Sequence, residues 1–441
     1  MCRTVRRVCE NRRMPATLQN PVAATEAAEQ SSLRRLYFAL FAAAFVLRIV
    51  CMLWWKSYNF PTGEPYNEVG RLIQRLATGH GFTSPYGDET GYTAAFPPVY
   101  PFVGSLIYRL FGSYSSACRI ALLSMNCVFG AGNAVLIHKL GIRTLGRRTA
   151  LLAAWCWALF PVFFRWDITW IWEFSLSAAL LTWMFLLTMK LAENPATKRW
   201  IGFGAAWGLT ALVNPALVSL LPFSGLYAVF HNARVNKRWL RNAAIASLLF
   251  FAVLAPWLVR NYVIFHRFIF VRDNFWLEFQ LGNFHGSTGL GFGGLHPTGN
   301  PRLLKLFHDL GELGYMDDRK QAAKTFLHND PKEFRELTLK RILWFWDGTS
   351  VLYQAFEWWK PWEVWWLSVV SLLGMLFVLT RRPPGWVLFL GTVLVYPLPY
   401  YVTYANPKYR HAVEPELALL GAYLFVLLYE EIENRKKGAA T

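Results

Sequence analysis

The chain is predicted to be an all-α polytopic membrane protein of about ten transmembrane helices, with interfacial helices in its first outer loop and a mixed outer segment before the last three spans. Three observations carry this. Of the 441 residues, 54% are hydrophobic and 17% aromatic. The apolar residues come in runs of roughly twenty, the length that crosses a bilayer, rather than at the helical period of a soluble amphipathic helix. The Lys and Arg residues, which give a net charge of +18, fall mostly in short clusters between those runs.

The expected spans are 37–55, 115–138, 149–165, 174–192, 201–214, 215–231, 240–258, 361–380, 385–402 and 413–430. Arg34/Arg35, Arg143/Arg147/Arg148, Lys198/Arg199, Arg234/Lys237/Arg238/Arg241, Arg381/Arg382 and Arg435/Lys436/Lys437 then share one side. By the positive-inside rule that side is the cytosol, so both termini are expected there, in a cytoplasmic (inner) membrane. The run Pro98–Phe111 is too short for a comfortable crossing. Counting it as a span would also move every later basic loop outside. It is therefore expected to lie at the outer interface, with Arg109 reaching to the headgroups. Asn214-Pro215 marks a turn or a broken helix.

The resulting division is a disordered basic cytosolic tail (1–33), a transmembrane catalytic module (34–258) with a first outer loop (56–114), an outer or periplasmic segment (259–360), C-terminal transmembrane helices (361–430) and a cytosolic tail (431–441). The apolar run after the first tail lacks a small-residue cleavage site, which makes it a retained span. Cys2, Cys9, Cys51, Cys118, Cys127 and Cys156 form no CxxC pair, so neither a disulfide framework nor a zinc site is implied. No aromatic-basic stripe points to nucleic acid, and no P-loop or GxGxxG points to a nucleotide. An activated donor must then be of another kind.

Only the two outer segments are polar enough for chemistry. In the first, Gly63 to Gly79 reads as a short amphipathic helix with Pro65 near its start. Glu64, Glu68, Arg71 and Arg75 follow one face at helical spacing. A carboxylate can take the proton of a hydroxyl or amine acceptor, and guanidinium groups can hold a leaving phosphate. Solvated ion pairs on a surface helix have the same spacing, so the pattern alone leaves both readings open. Asp88 and Glu89 fall in a Gly/Pro-flanked turn and read as solvated. Glu173, at the mouth of a span, is where an unpaired carboxylate is costly, and it is a site candidate or a helix cap. Arg260, at the outer end of a span, and Arg410, between the last two, fall at the same bilayer face as Arg71. Headgroup anchoring is the alternative for each. His285, His296 and His411 are lesser candidates.

Several words stand in this order: Ala77-Thr78-Gly79-His80-Gly81-Phe82, Thr90-Gly91-Tyr92-Thr93-Ala94, Pro97-Pro98-Val99-Tyr100-Pro101, Leu110-Phe111-Gly112, Ala255-Pro256-Trp257-Leu258-Val259-Arg260-Asn261-Tyr262, Leu281-Gly282-Asn283, His296-Pro297, Asn300-Pro301, Gly311-Glu312, and Lys408-Tyr409-Arg410-His411 with Glu414-Pro415. In these words the chain resembles the integral-membrane C-type glycosyltransferase superfamily, in the family 39 group of protein O-mannosyltransferases and the lipid A aminoarabinose transferase. The resemblance implies a sugar moved from a polyprenyl-phosphate donor to a glycan, lipid or protein acceptor at the outer face of the membrane, by an inverting single displacement. It also implies an acidic base in the first outer loop, usually Asp. Here both candidates are Glu. Counting back from Ala77-Thr78-Gly79 lands on Glu64, whereas the acidic-x-x-Arg spacing fits Glu68 with Arg71, and Glu68 is preferred. Relatives often carry an acidic residue where Glu173 stands. Arg71, Arg260 and Arg410, with Tyr409, are the expected donor-phosphate contacts. No cofactor is firmly implied. Some relatives use a divalent metal, but no ligand spacing here requires one, so no residue is assigned to a metal. The rival readings are a transporter or flippase of lipid-linked sugars, and an oligosaccharide ligase or polymerase with a diphosphate-linked donor.

Overall fold

The computed structural model describes residues 21–59, 67–87, 89–112, 115–348 and 361–438. Among them the structure is helical, with one isolated antiparallel bridge between Thr83 and Tyr92. The chain is a multi-span membrane protein. Among the described residues, seven helical stretches are long and apolar enough to cross a bilayer: Ala28–Trp54, Ser116–Thr144, Phe174–Glu193, Pro215–Ala233, Trp239–Phe265, Trp362–Arg381 and Pro407–Gly438.

Helix α1 (Pro21–Trp54) starts earlier than expected. The composition predicts an unstructured tail to residue 33, but from Pro21 on the chain continues the first helix. The Ala/Glu/Gln content of this stretch favours helix, and Pro21 suits a first turn. Residues 1–20 lie outside the described residues.

α2 (Glu68–Ala77) is capped by Asn67, whose side chain accepts from Gly70 N–H at 2.8 Å. It buries Val69, Leu72, Ile73 and Leu76. Its partner is α3 (Val99–Phe111), the short apolar run, where Gly104 admits the Ile73 side chain. Arg109 is exposed and also has partners inside the protein. It donates to the carbonyls of Ala77 at 3.1 Å and Leu76 at 3.0 Å, closing the C-terminal end of α2, where free carbonyls attract a cation.

α4 (Ser116–Thr144) and α7 (Phe174–Glu193) are long central helices. Between them lie α5 (Arg147–Leu159), ended by Phe160-Pro161, and α6 (Arg165–Thr169). α8 (Thr197–Val213) stops at Asn214-Pro215, and a 3-10 turn leads into α9 (Leu221–Ala233). The break anticipated there is present. α5, at 13 residues, is shorter than the expected span 149–165, because Pro161 follows its end, whereas α8, at 17 residues, begins at Thr197, before the expected start at 201. α8 lies tightly on α10 (Trp239–Phe265): a Cβ on Gly204 would stand 2.0 Å from the Ala246 carbonyl oxygen, the kind of small-residue contact that lets membrane helices approach.

The segment expected to lie outside begins only after Phe265, where His266 ends α10 in the left-handed region. It holds α11 (Phe275–Gly282), α12 (Pro301–Asn329), kinked at Gly311, and α13 (Pro331–Asp347). Fully buried Arg341 of α13 donates to Gly289 O at 3.0 Å and Asn283 Oδ1 at 2.9 Å. These bonds tie the glycine-rich stretch 286–299 to the helices beside it. α14 (Pro361–Arg381) follows, then α15 (Trp386–Leu394) and α16 (Leu398–Val402), two short pieces in place of one expected span. α17 (Pro407–Arg410) leads into α18 (Glu414–Gly438). α18 is helical to Gly438, through most of the expected final tail.

Candidate active site

One cavity of about 340 Å³ collects side chains from almost every part of the chain. That size is at the lower end of the ~300–1,000 Å³ usual for small-molecule sites. Glu68, at the first turn of α2, forms one wall with Tyr86 and Phe96 of the first outer loop. Trp172, Glu173 and Phe174 enter from the start of α7, and Asn214 to Ala216 from the break between α8 and α9. Arg272, Asn274, Phe275 and Glu278 come from the start of the outer segment and α11, and His296 from the glycine-rich stretch. Tyr396, Tyr400, Tyr404, Lys408 and Tyr409 complete it from the C-terminal end.

The first outer loop is held against the outer segment by a clamp on Ala94. Its N–H donates to the buried Glu312 carboxylate of α12, and its carbonyl accepts from Asp273 N–H at 3.2 Å. Burial and the facing Asp273 carboxylate push the Glu312 carboxyl well above its ordinary value, while burial raises Asp273 to about 6. Two carboxyls so placed cannot readily both be charged, and the pair holds a proton near neutrality.

Glu173 begins α7 through its backbone but makes no side-chain cap. Its carboxyl faces the cavity at 6% exposure. Burial pushes it up to about 7, against the opposing pull of Arg272 and Lys408. Near neutral pH it is thus poised between donor and acceptor.

Two cations line the same space. Arg272 donates through Nε to Asn274 Oδ1 at 2.6 Å and lies 3.6 Å from Glu278. Glu278 in turn accepts from Asn274 at 2.7 Å and from Tyr404 Oη at 2.8 Å. Lys408 Nζ stands over the rings of Trp170, Trp172 and Tyr409 at 5.4, 5.7 and 5.2 Å. Tyr409 stacks on Tyr400 with centroids 4.8 Å apart and shares a 2.7 Å hydrogen bond with Tyr404. The arrangement combines carboxyls, cations and aromatic faces, a set able to move a proton, hold an anion and stack on a sugar ring.

Of the residues expected from sequence, Glu68, Glu173 and Tyr409 meet in this cavity, with His296 of the lesser candidates. Glu64 lies outside the described residues, as does Asp88. The three arginines do not line it. Arg71 turns its guanidinium toward Gly87, where an added Cβ would stand 2.2 Å from it. Arg260 donates to the carbonyls of Thr93 at 2.7 Å and Phe82 at 3.2 Å, bracing the first outer loop. Arg410 is fully buried and donates to Ser368 Oγ at 2.7 Å and to Glu414. Arg260 and Arg410, expected to converge on an anion, do not line this cavity: Arg260 donates to two backbone carbonyls and the Asn261 amide oxygen, and Arg410 to a carbonyl, a hydroxyl and a carboxylate. The cavity's cations are Arg272 and Lys408. Arg272 belongs to none of the quoted words and sits in an irregular stretch, where helical periodicity gives no facing. Lys408 stood inside a quoted word, two residues from the arginine preferred over it. Among the described residues, His285, Asp330 and Glu333 bring ligand atoms within 4.8 Å of one another, but they do not line the cavity.

Residues 95–259 match the family described as dolichyl-phosphate-mannose-protein mannosyltransferase. In structure, the chain is similar to the archaeal oligosaccharyltransferase AglB from Archaeoglobus fulgidus, solved with an inhibitory peptide and a dolichol-phosphate. The TM-score is 0.55 at 16% identity, over 92% of this chain and 52% of that one. The fold is that of the integral-membrane C-type glycosyltransferases. The Archaeoglobus fulgidus enzyme in complex with Zn and sulfate gives a TM-score of 0.54 at 15% identity, over 90% of this chain and 50% of that one. The chain thus spans about half the length of these enzymes. ArnT from Cupriavidus metallidurans, solved with undecaprenyl phosphate, gives 0.41 at 15% identity, over 88% of this chain and 77% of that one. No curated protein matches in sequence.

Proposed function

We propose that the chain is a hexosyl- or pentosyltransferase that moves a sugar from a polyprenyl-phosphate donor to a glycan, lipid or protein acceptor by a single inverting displacement. The observation that carries this reading is the shared cavity, in which Glu68 and Glu173 line the same space as Arg272, Lys408 and a tyrosine platform. The family match over residues 95–259 and the C-type fold support it. So does the dolichol-phosphate in the archaeal enzyme, a ligand of the same chemical kind as the donor.

In this reading Glu68 takes the acceptor's proton as the acceptor oxygen or nitrogen bonds to the anomeric carbon. The bond from that carbon to the phosphate oxygen breaks on the opposite face, and its electron pair leaves with the lipid phosphate. Arg272 and Lys408 hold the charge that develops there, with Tyr409 beside them. Glu173 orients a hydroxyl of the sugar or acceptor. The cavity faces the outer side of a cytoplasmic membrane, with both termini cytosolic, a placement supported by the one-sided basic loops. The segment divisions read from the sequence, with their boundaries moved to the helix ends, separate a catalytic transmembrane module from the outer segment that covers it.

Purified protein incubated with labelled polyprenyl-phosphate sugar and candidate acceptors should transfer label. Glu68→Gln should reduce transfer by at least about a hundredfold, the scale of a lost general base, with unchanged folded yield. Near-normal transfer by that variant would move the base role to Glu64 or Glu173. Movement of the lipid across vesicles without transfer would favour a flippase, and reaction only with a diphosphate-linked donor would favour a ligase or polymerase.

A further inference from the structure

We infer that His296 is the positioning partner of Glu68, holding one oxygen of that carboxylate so that the other faces the acceptor. This inference rests on the transferase reading for its chemistry and on the geometry for its pairing. His296 Nε2 stands 3.8 Å from Glu68 Oε1, and both groups are mostly buried against the cavity. Among the described residues it is the side chain within ion-pair reach of Glu68.

The ring is built into place from both ends. His296 starts the 3-10 turn Pro297–Gly299, and its Nδ1 accepts from Thr298 N–H at 3.3 Å, with Thr298 Oγ1 at 2.7 Å. A ring nitrogen used as an acceptor leaves the neutral imidazole's proton on Nε2, the atom turned to Glu68. Tyr86 meets the ring edge-on with centroids 5.2 Å apart, and Tyr86 is itself fixed by Phe307 of α12 at 5.1 Å. The turn folds back on itself so closely that a Cβ on Gly299 would stand 2.2 Å from the Gly293 carbonyl oxygen. Asn300 locks it further, donating to Gly294 O at 3.0 Å and accepting from Arg302 N–H at the start of α12.

A separation of 3.8 Å is one short approach from a hydrogen bond, and catalytic hydrogen bonds tighten when substrate fills a site. The other charged groups lining the cavity are Glu173 of the α7 mouth, Arg272 and Glu278 of the outer segment and Lys408 of α17. The outer segment therefore does more than cover the cavity: it supplies a group that aims the base.

Two measurements test this. The first is kinetic, on the full-length protein with labelled polyprenyl-phosphate sugar. His296→Ala should lower kcat about tenfold or more, leave the donor KM within about twofold, and move the acidic limb of the pH–rate profile. His296→Gln, which keeps an N–H at similar reach, should regain most of the loss. A His296→Ala enzyme with unchanged kcat and pH profile, or no recovery by Gln, overturns the role. The second does not depend on activity. Glu68→Cys combined with His296→Cys should be joined by a short thiol-specific cross-linker in folded protein, with each single variant as the background for the native cysteines. Failure to join them overturns the pairing whatever the reaction. Efficient joining in a protein whose wild type transfers no sugar overturns the transferase reading and leaves the pairing standing.

Discussion

The Glu173 carboxyl illustrates what burial does to a single residue at the mouth of a span. Its value rises from 4.5 to about 7 on folding. A carboxyl raised in this way is protonated in the folded protein between those two values, where the unfolded chain has already lost its proton. Its contribution therefore favours folding at low pH and is lost as pH climbs from about 4.5 to about 7. One pKa unit is about 1.4 kcal/mol, so the loss is on the order of 3 kcal/mol. Glu173→Gln should match the wild type in thermal unfolding near pH 4.5 and exceed it at about pH 8. A variant whose unfolding tracks the wild type at both pH values would show that Glu173 ionises freely. The candidacy of Glu173 and Glu68 was legible in the sequence because each stands where a charge is costly or at helical spacing from a cation. The failure of Arg260 and Arg410 as cavity groups was not. A sequence shows that an arginine is near a membrane face, but not which carbonyls its donors will meet.

At the scale of elements, the first outer loop depends on α12 for its position. Glu312 accepts from Ala94 N–H inside the protein, so Glu312→Ala would leave a buried donor unpaired, at a cost of about 1–3 kcal/mol. Glu312→Gln keeps an accepting oxygen and removes the contest with Asp273 for a proton. The Gln variant should be at least as stable as wild type at about pH 8, where the buried pair is under most pressure to ionise, and the Ala variant should be less stable at every pH. Thermal unfolding of both across roughly pH 5–8 checks this; equal behaviour of the two variants would mean that the clamp contributes nothing. Apolar runs and proline breaks made the membrane helices readable, including the Asn214-Pro215 interruption. α5 proved shorter than expected, since hydropathy marks where a segment is comfortable in lipid but not where a proline ends its helix. The contact of α2 with α3 through Gly104, and the use of Arg109 to close α2, were invisible for a related reason: helix-to-helix facing is decided by partners distant in sequence.

For the whole molecule, the end nearest the cavity is joined to the helical core by a fully buried chain of charges. Arg48 of α1 meets Asp167 of α6 at 2.7 Å, Asp167 faces His411 at 3.4 Å, His411 meets Glu414 of α18 at 2.8 Å, and Glu414 meets Arg410 at 3.3 Å. Gly130 of α4 makes room, since a Cβ there would stand 2.1 Å from the Asp167 carboxylate. Removing one member leaves its partner charged and buried, which typically costs about 3–5 kcal/mol, whereas replacing a pair by apolar groups is often neutral. Asp167→Asn should therefore lower the unfolding temperature sharply, and Arg48→Met with Asp167→Leu should recover most of it. A double variant no better than the single one would mean that the charges are needed for more than their mutual neutralisation. This network accounts for His411, a lesser candidate in the sequence, as a member of the core rather than of the cavity.

The word Lys408-Tyr409-Arg410-His411 serves both places at once: its first two residues line the cavity, and its last two enter the buried network. Each residue added to or taken from a helical turn rotates every later side chain of that helix by about 100°. A change of one residue here would bring a network cation round toward the ligand and send a platform ring into the core. The segment is thus constrained in length as well as in composition.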